Sequence, residues 1–139
     1  MAKLSNPLGA VSVLAASNLN RQVFIGFDGN VCAANAKALG VTELDTASGE
    51  MAGVIFNGIA LVKAGAAVAA GAAVVSDASG RAVTASALAF TIPSGSTNVT
   101  STSAQPALSK SGSVLPQAIN GYALDAASAA DEIIRVLLA

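Results

Sequence analysis

Residues 50–62 have the sequence Glu-Met-Ala-Gly-Val-Ile-Phe-Asn-Gly-Ile-Ala-Leu-Val, two apolar runs separated by Asn57-Gly58. β-Branched and aromatic residues favour strands because their side chains pack well on a pleated surface. Asn-Gly is a preferred sequence for a two-residue hairpin turn, since both central residues of that turn adopt positive φ. The stretch therefore predicts a β-hairpin, with one strand over 50–56 and its return over 59–62.

Turn signals recur on both sides of this hairpin. Asp28-Gly29-Asn30 follows a β-rich run at 21–27, residues 45–49 precede the hairpin, and residues 76–80 separate two later apolar runs. Short strands with turns about every 8–12 residues are typical of barrels and sandwiches rather than of helical proteins. The sequence predicts an all-β fold: a compact small β-barrel or sandwich with short strands and hairpins, an extended N-terminal arm, and at most one or two short helices.

The length of 139 residues predicts a single β domain over residues 1–139. Residues 1–10 are predicted to form the extended N-terminal arm, and residues 86–116, rich in Ser, Thr and Pro, an insertion loop. That loop is either a flexible surface segment or one that orders at an assembly contact. Residues 123–138 are compatible with a helix, but the β-branched run around Arg135 favours two strands around a short helical turn.

The composition favours assembly over a solitary monomer. Hydrophobic residues make up 53% of the chain and charged residues only 11%, whereas about 25% charged residues is usual. Most of the apolar residues are Ala and Val, and alanine contributes little area at roughly 25 cal/mol per Å² buried. We therefore expect a thin core that gains buried surface by oligomerisation or by docking on a larger body.

Charge and hydropathy bear on nucleic-acid and membrane partners. The net charge is −1 and the seven Lys and Arg residues are scattered, so the basic footprint of a nucleic-acid-binding protein is missing. Residues 51–75 are long enough to cross a bilayer, but Lys63 lies near their middle and four glycines interrupt them. Residues 1–7 lack the continuous apolar run of a secretory signal. We expect neither a nucleic-acid nor a membrane partner.

Few residues suit catalysis or metal binding. The chain has no histidine and one cysteine, Cys32, so it lacks the commonest general base and cannot form a zinc cluster or an intramolecular disulfide. Glu43, Asp45 and Glu50 are close in sequence, but they flank a turn and lack the spacing of a calcium loop. We expect no catalytic residue, no metal site and no cofactor, and hence not an enzyme.

A pattern of small residues and turns recurs in six segments of the chain, which are residues 23–34, 38–43, 58–65, 70–83, 120–130 and 134–137. Together these segments resemble the capsid cement, or head decoration, proteins of tailed phages. The resemblance implies a β-rich protomer that forms a homotrimer on the outer surface of an expanded capsid shell. Its partners would be the major capsid protein and further copies of itself, and its location the virion, after synthesis in the host cytoplasm. Such a protein would stabilise the mature head and carry no catalytic residues.

The arm and the insertion are the expected contact regions. An extended arm can add a strand to a neighbouring sheet, because main-chain pairing gives affinity without special side chains. An alternative function is a surface-exposed ligand- or glycan-binding β domain, although Tyr122 and four Phe offer little aromatic surface for a glycan. The residues expected to contact the capsid or neighbouring subunits are Lys3, Leu4, Asn6, Pro7, Leu8, Val99 and Pro106.

Overall fold

The computed structural model describes residues 3–86 and 117–139, and these residues form strands and connecting turns with no helix among them. The predicted all-β fold is confirmed. The predicted insertion, from residue 87 onward, lies outside the described residues. The strands in chain order are β1 (Asn6–Leu14), β2 (Phe24–Ile25), β3 (Gly40–Thr42), β4 (Met51–Lys63), β5 (Ala73–Ser76), β6 (Ala82–Thr84), β7 (Gly121–Ala123) and β8 (Ile133–Leu138).

β4 organises the sheet. It pairs antiparallel with β1 over residues 51–59, with β3 at Val54 and Ile55, and with β8 over residues 59–63. The strands follow the order β2-β3-β4-β8-β7-β5-β6, and β1 lies beside β4 off this path. The two ends of the path come together, because the Phe24 amide donates a hydrogen bond to the Gly80 carbonyl at 2.7 Å. The sheet therefore curls into a nearly closed barrel.

The predicted hairpin turn at Asn57-Gly58 is wrong, because β4 continues through it without reversing. Gly58 does adopt a positive φ of 102°, but it does so at a break in the register between β1 and β4. β1 also runs close to it: a Cβ at position 58 would lie 2.5 Å from the Asn6 carbonyl oxygen. A β-bulge and a tight turn both require this conformation, so local sequence does not distinguish them.

The bulge reverses the alternation of side chains along β4, so residues after it face a different part of the core. Before it, Ala52 and Val54 lie in a small buried cluster with Leu19 and Ile25. Ile55, Ala60 and Val62 lie in a larger cluster instead. In a regular strand, residues five apart point to opposite faces, yet Ile55 and Ala60 share this cluster. One strand therefore contributes to both buried clusters.

The remaining turns and strands largely follow the sequence. In the predicted turn at residues 28–30, the Gly26 amide donates to the Asn30 carbonyl at 2.9 Å. In the later turn, Asp77 Oδ1 accepts hydrogen bonds from the amides of Ser79 and Arg81, both at 2.8 Å. The C-terminal segment forms the strands β7 and β8, as the β-branched run indicated, and not a helix.

The side chain of Asn120, the residue before β7, forms hydrogen bonds with the segment before β3. Its side chain is only 2% exposed. Its Oδ1 accepts a hydrogen bond from the Ala38 amide at 2.9 Å, and its Nδ2 donates to the Ala36 carbonyl at 3.0 Å. Both partners are main-chain groups that need a hydrogen bond when they are removed from water.

Asp125 and Arg135 form the tightest ion pair of the described residues. Arg135 donates from Nε to Asp125 Oδ2 at 2.9 Å and from Nη2 to Oδ1 at 2.8 Å, and its main-chain amide donates to Oδ2 at 3.0 Å. These hydrogen bonds lower the pKa of Asp125 from 3.8 to about 2. The pair ties the loop after β7 to the middle of β8.

Replacing Asn120 by Ala leaves the Ala38 amide and the Ala36 carbonyl without these partners. We expect a loss of about 2–3 kcal/mol in the free energy of unfolding, measured by urea denaturation. Asn18→Ala is the matched control, since the exposed Asn18 accepts one hydrogen bond, from the Ser48 amide at 2.9 Å. We expect that variant to lose less than about 1 kcal/mol. Equal losses in the two variants would contradict the role given to Asn120.

The Asp125–Arg135 pair predicts acid sensitivity. Because folding lowers the pKa of Asp125, its contribution to stability is present above about 3.8 and is lost as the pH falls toward about 2. The stability difference between the wild type and Asp125→Asn should therefore shrink over this interval, in urea denaturation at successive pH values. Arg135→Gln should remove the same part of the pH dependence. A difference that stays constant from pH 5 to pH 2 would sink the prediction.

Candidate assembly surface

β1 is exposed on both of its faces. None of its nine residues is buried, although residues of every other strand contribute to the buried core. Its one partner strand among the described residues is β4, so the other edge of β1 has no strand beside it in that part of the chain. An edge strand with a free backbone edge is a template for pairing with another chain.

An apolar strip runs along β1 and β4 and consists of Leu8, Leu14, Met51 and Phe56, all exposed. Leu14 and Met51 are direct cross-strand neighbours. The Phe56 ring lies over Gly9, where a Cβ would come within 2.7 Å of the ring. Exposed apolar side chains concentrated on two paired strands are typical of interaction surfaces.

A second apolar area lies on β7 and β8. Tyr122 and Leu137 are direct cross-strand neighbours, and they are 47% and 45% exposed. Arg135, also on β8, directs its guanidinium toward Asp125. Its charge is therefore compensated within the chain.

The residues predicted for assembly fall into two groups. Lys3 Nζ donates a hydrogen bond to the Ile133 carbonyl at 2.7 Å, at the start of β8. Asn6 and Pro7 begin β1 opposite Ile59 and Gly58. The structure thus brings the predicted arm residues together beside β4, where Leu4 and Leu8 are both 74% exposed. Val99 and Pro106 lie outside the described residues.

Sequence reasoning missed the other members of the two apolar areas. Leu14, Met51, Phe56, Tyr122 and Leu137 were not predicted as assembly contacts, because nothing in the prediction said which face of a strand each side chain would take. The alternation of β4 breaks at the bulge, so a period of two misassigns Phe56. The scarcity of aromatic residues, with one Tyr and four Phe in the chain, was the available signal for Phe56 and Tyr122.

The residues considered for chemistry have structural surroundings. Cys32 is buried, and its burial raises the pKa of the thiol. The Asp45 carboxylate accepts a hydrogen bond from the Arg21 amide at 2.8 Å, as a turn residue does. No group of three potential metal ligands occurs within residues 3–86 and 117–139. The same residues include no helix long and apolar enough to span a membrane.

Two concavities on the described surface are small. One, of about 70 Å³, lies among Gln22, Thr42, Ile55 and Leu61. Another, of about 10 Å³, lies beside Asn120 and Leu138. Pockets that bind small molecules usually measure about 300–1,000 Å³, so these two do not suit such a ligand.

Comparisons with known proteins identify a similar structure and a matching family. It is similar to the crystal structure of the N base of the head fiber gp8.5 in bacteriophage phi29, with a TM-score of 0.61 and 15% sequence identity over 94% of this chain and 93% of that one. At that identity the likeness shows the fold alone. No curated protein matches. A family model described as phage cement protein matches residues 9–138 and thus confirms the resemblance seen in the sequence. The chain belongs to the phage cement protein family.

Proposed function

We propose that the chain binds the outer surface of a phage capsid shell as a homotrimer and stabilises the mature head. Membership of the phage cement protein family gives it a structural role associated with the phage capsid. The homotrimer, the outer surface and the stabilisation go beyond that role. The observation that carries them is β1, a nine-residue strand without a single buried residue.

The exposure of β1 supports a docking role because such a strand is costly to leave uncovered. Its side chains include Leu8 and Leu14, and its main chain has an edge with no partner strand among the described residues. A strand from the major capsid protein can pair with the first part of that edge, within the arm of residues 1–10, and the apolar side chains around Leu8 can pack on the shell. Together these contacts supply main-chain hydrogen bonds and apolar burial.

The proposal also covers location and the absence of catalysis. The protein would act in the virion, on the capsid exterior, after synthesis in the host cytoplasm. Its partners would be the major capsid protein and its own copies, with neither nucleic acid nor membrane involved. It would not be an enzyme, in keeping with a buried Cys32 whose thiol pKa is raised and with a sequence that lacks histidine.

A ligand- or glycan-binding domain is the second candidate. Its support is the exposed Tyr122 and Phe27, since glycans stack on aromatic rings. Neither of the two concavities described above suits such a ligand, and membership of the phage cement protein family favours the capsid proposal.

The direct test mixes purified protein with expanded phage shells that lack decoration. We expect the protein to cosediment with the shells and to raise the temperature at which they disrupt, because contacts repeated over a lattice stabilise it by mass action. Neither cosedimentation nor a rise in that temperature would overturn the proposed function.

Leu8→Glu tests the apolar strip in the same assay. A charge there must be desolvated on docking, so we expect binding to shells to weaken by about tenfold or more. Leu44→Glu is the matched control, since Leu44 is 71% exposed and lies outside the strip. Equal binding by the two variants would contradict a role for the strip at the shell.

A further inference from the structure

The barrel contains two copies of one backbone arrangement, repeat 1 (residues 9–55) and repeat 2 (residues 58–86 and 117–137). In repeat 1, the Ala15 amide donates to the Glu50 carbonyl, and the Gly49 amide donates to the Ala15 carbonyl. In repeat 2, Ala64 exchanges the same two hydrogen bonds with Glu132 and Asp131. The reciprocal pair Leu19–Thr46 likewise recurs as Val68–Ala127.

Strand pairing repeats in the same way. Phe24 pairs with Val41, and Val41 pairs with Ile55, in β2, β3 and β4. The equivalent series in β5, β7 and β8 is Ala73 with Tyr122, and Tyr122 with Leu137. β1 is thereby equivalent to the second half of β4, so that β4 ends repeat 1 and begins repeat 2.

Buried residues follow the repeat as well. Members of the small cluster in repeat 1 have equivalents at the same positions of the larger cluster in repeat 2. The equivalent pairs are Ala15 and Ala64, Leu19 and Val68, Ile25 and Val74, Ala52 and Ile134, and Val54 and Val136.

The larger cluster has additional members that repeat 1 supplies. Phe24, Val41 and Ile55 are fully buried in it, so this face of repeat 1 covers the core of repeat 2. The face of repeat 2 that is equivalent to Val41 and Ile55 consists of Tyr122 and Leu137, and both are exposed. We name these two residues the covering patch.

Repeat 1 covers part of β4, and the equivalent part of β1 is exposed. Ala60 and Val62 on β4 are completely buried, and the Lys63 amide donates to the Gln22 carbonyl of repeat 1 at 2.8 Å. On β1, the residue equivalent to Ala60 is Val11, which is 41% exposed. The residue equivalent to Val62 is Val13, which is half-buried. We name Val11 and Val13 the receiving patch.

We infer that the covering patch of one copy of this chain packs on the receiving patch of a second copy. This contact between two molecules reproduces the contact that joins the two repeats within one chain. The Leu14 amide, which points away from β4 by the alternation of the antiparallel ladder, donates to the Gly71 carbonyl of the neighbouring copy, because Gly71 is equivalent to Gln22. This inference rests on the proposed homotrimer and specifies its interface.

A second copy suits these patches better than an unrelated partner. The repeat equivalents of the two patches already pack together within the chain, with apolar residues on both sides: Val41 and Ile55 lie in one cluster with Ala60 and Val62. Neither patch carries a charge, and the nearby Arg135 is neutralised by Asp125. Because the two patches differ, the contact is head-to-tail, and repetition of a head-to-tail contact closes a ring when the rotation permits.

Single substitutions at exposed positions test the interface by mass in solution, measured by sedimentation equilibrium. Tyr122→Glu removes the covering patch and Val11→Glu removes the receiving patch. We expect the mass of three chains for the wild type and of one chain for each variant. Leu44→Glu, at an exposed leucine outside both patches, should keep the wild-type mass.

Mixing the two variants tests which surfaces meet. Val11→Glu retains a covering patch and Tyr122→Glu retains a receiving patch, so an equal mixture should form a complex of two chains that cannot close a ring. A mixture that stays at one chain would overturn the pairing of these two patches. Because Tyr122 is exposed, Tyr122→Glu should keep the circular dichroism spectrum of the wild type. A folded Tyr122→Glu that keeps the mass of three chains would also overturn the pairing of the two patches.

These outcomes separate the interface from the proposed function. If the wild type and all the variants have the mass of three chains, the inferred interface is wrong and the proposed function stands. If the wild type forms the ring but does not bind shells, the proposed function fails and the interface stands. A wild type with the mass of one chain at all concentrations would overturn both the interface and the trimer.

Discussion

The pairing of one 13-residue strand, β4, with three others is the constraint on which the rest of this structure depends. β1, β3 and β8 each take part of its length, and a bulge at residues 56–58 changes the face to which its side chains point. Without that change, Ile55 and Ala60 would face opposite sides. The bulge therefore allows the strand that completes the small cluster also to begin the large one.

Because β4 contributes to both buried clusters, an alanine-rich chain can build a core. Many buried residues are Ala or Val, which contribute modest area each. The buried apolar area is increased because Phe24, Val41 and Ile55 of repeat 1 pack in the core of repeat 2. Polar groups cost little in addition, since every buried side-chain nitrogen and oxygen of the described residues has a hydrogen-bond partner. Repeat 1 receives no such cover from residues 3–86 and 117–139, and β1 is exposed.

Local sequence predicted the candidate surface only in part. The arm residues from Lys3 to Leu8 were identifiable, because a polar, proline-containing segment at the end of a chain favours an extended strand. Tyr122 and Leu137 were not, because they are 15 positions apart and meet only through the pairing of β7 with β8. The internal repeat was also hidden: its equivalent residues are mostly different small apolar types, and the same backbone tolerates Gln22 and Gly71 at one positive-φ position.

The sequence by itself determined the all-β class, the turns at residues 28–30 and 76–80, the strands of the C-terminal segment and the family. Each of these depends on neighbouring residues or on a pattern spread along the chain. Only the tertiary structure decided whether Asn57-Gly58 reverses the chain or bulges, because both conformations require positive φ and the choice depends on β1 lying beside β4. Only the tertiary structure likewise separated exposed from buried apolar residues, since burial depends on which distant strand covers each face.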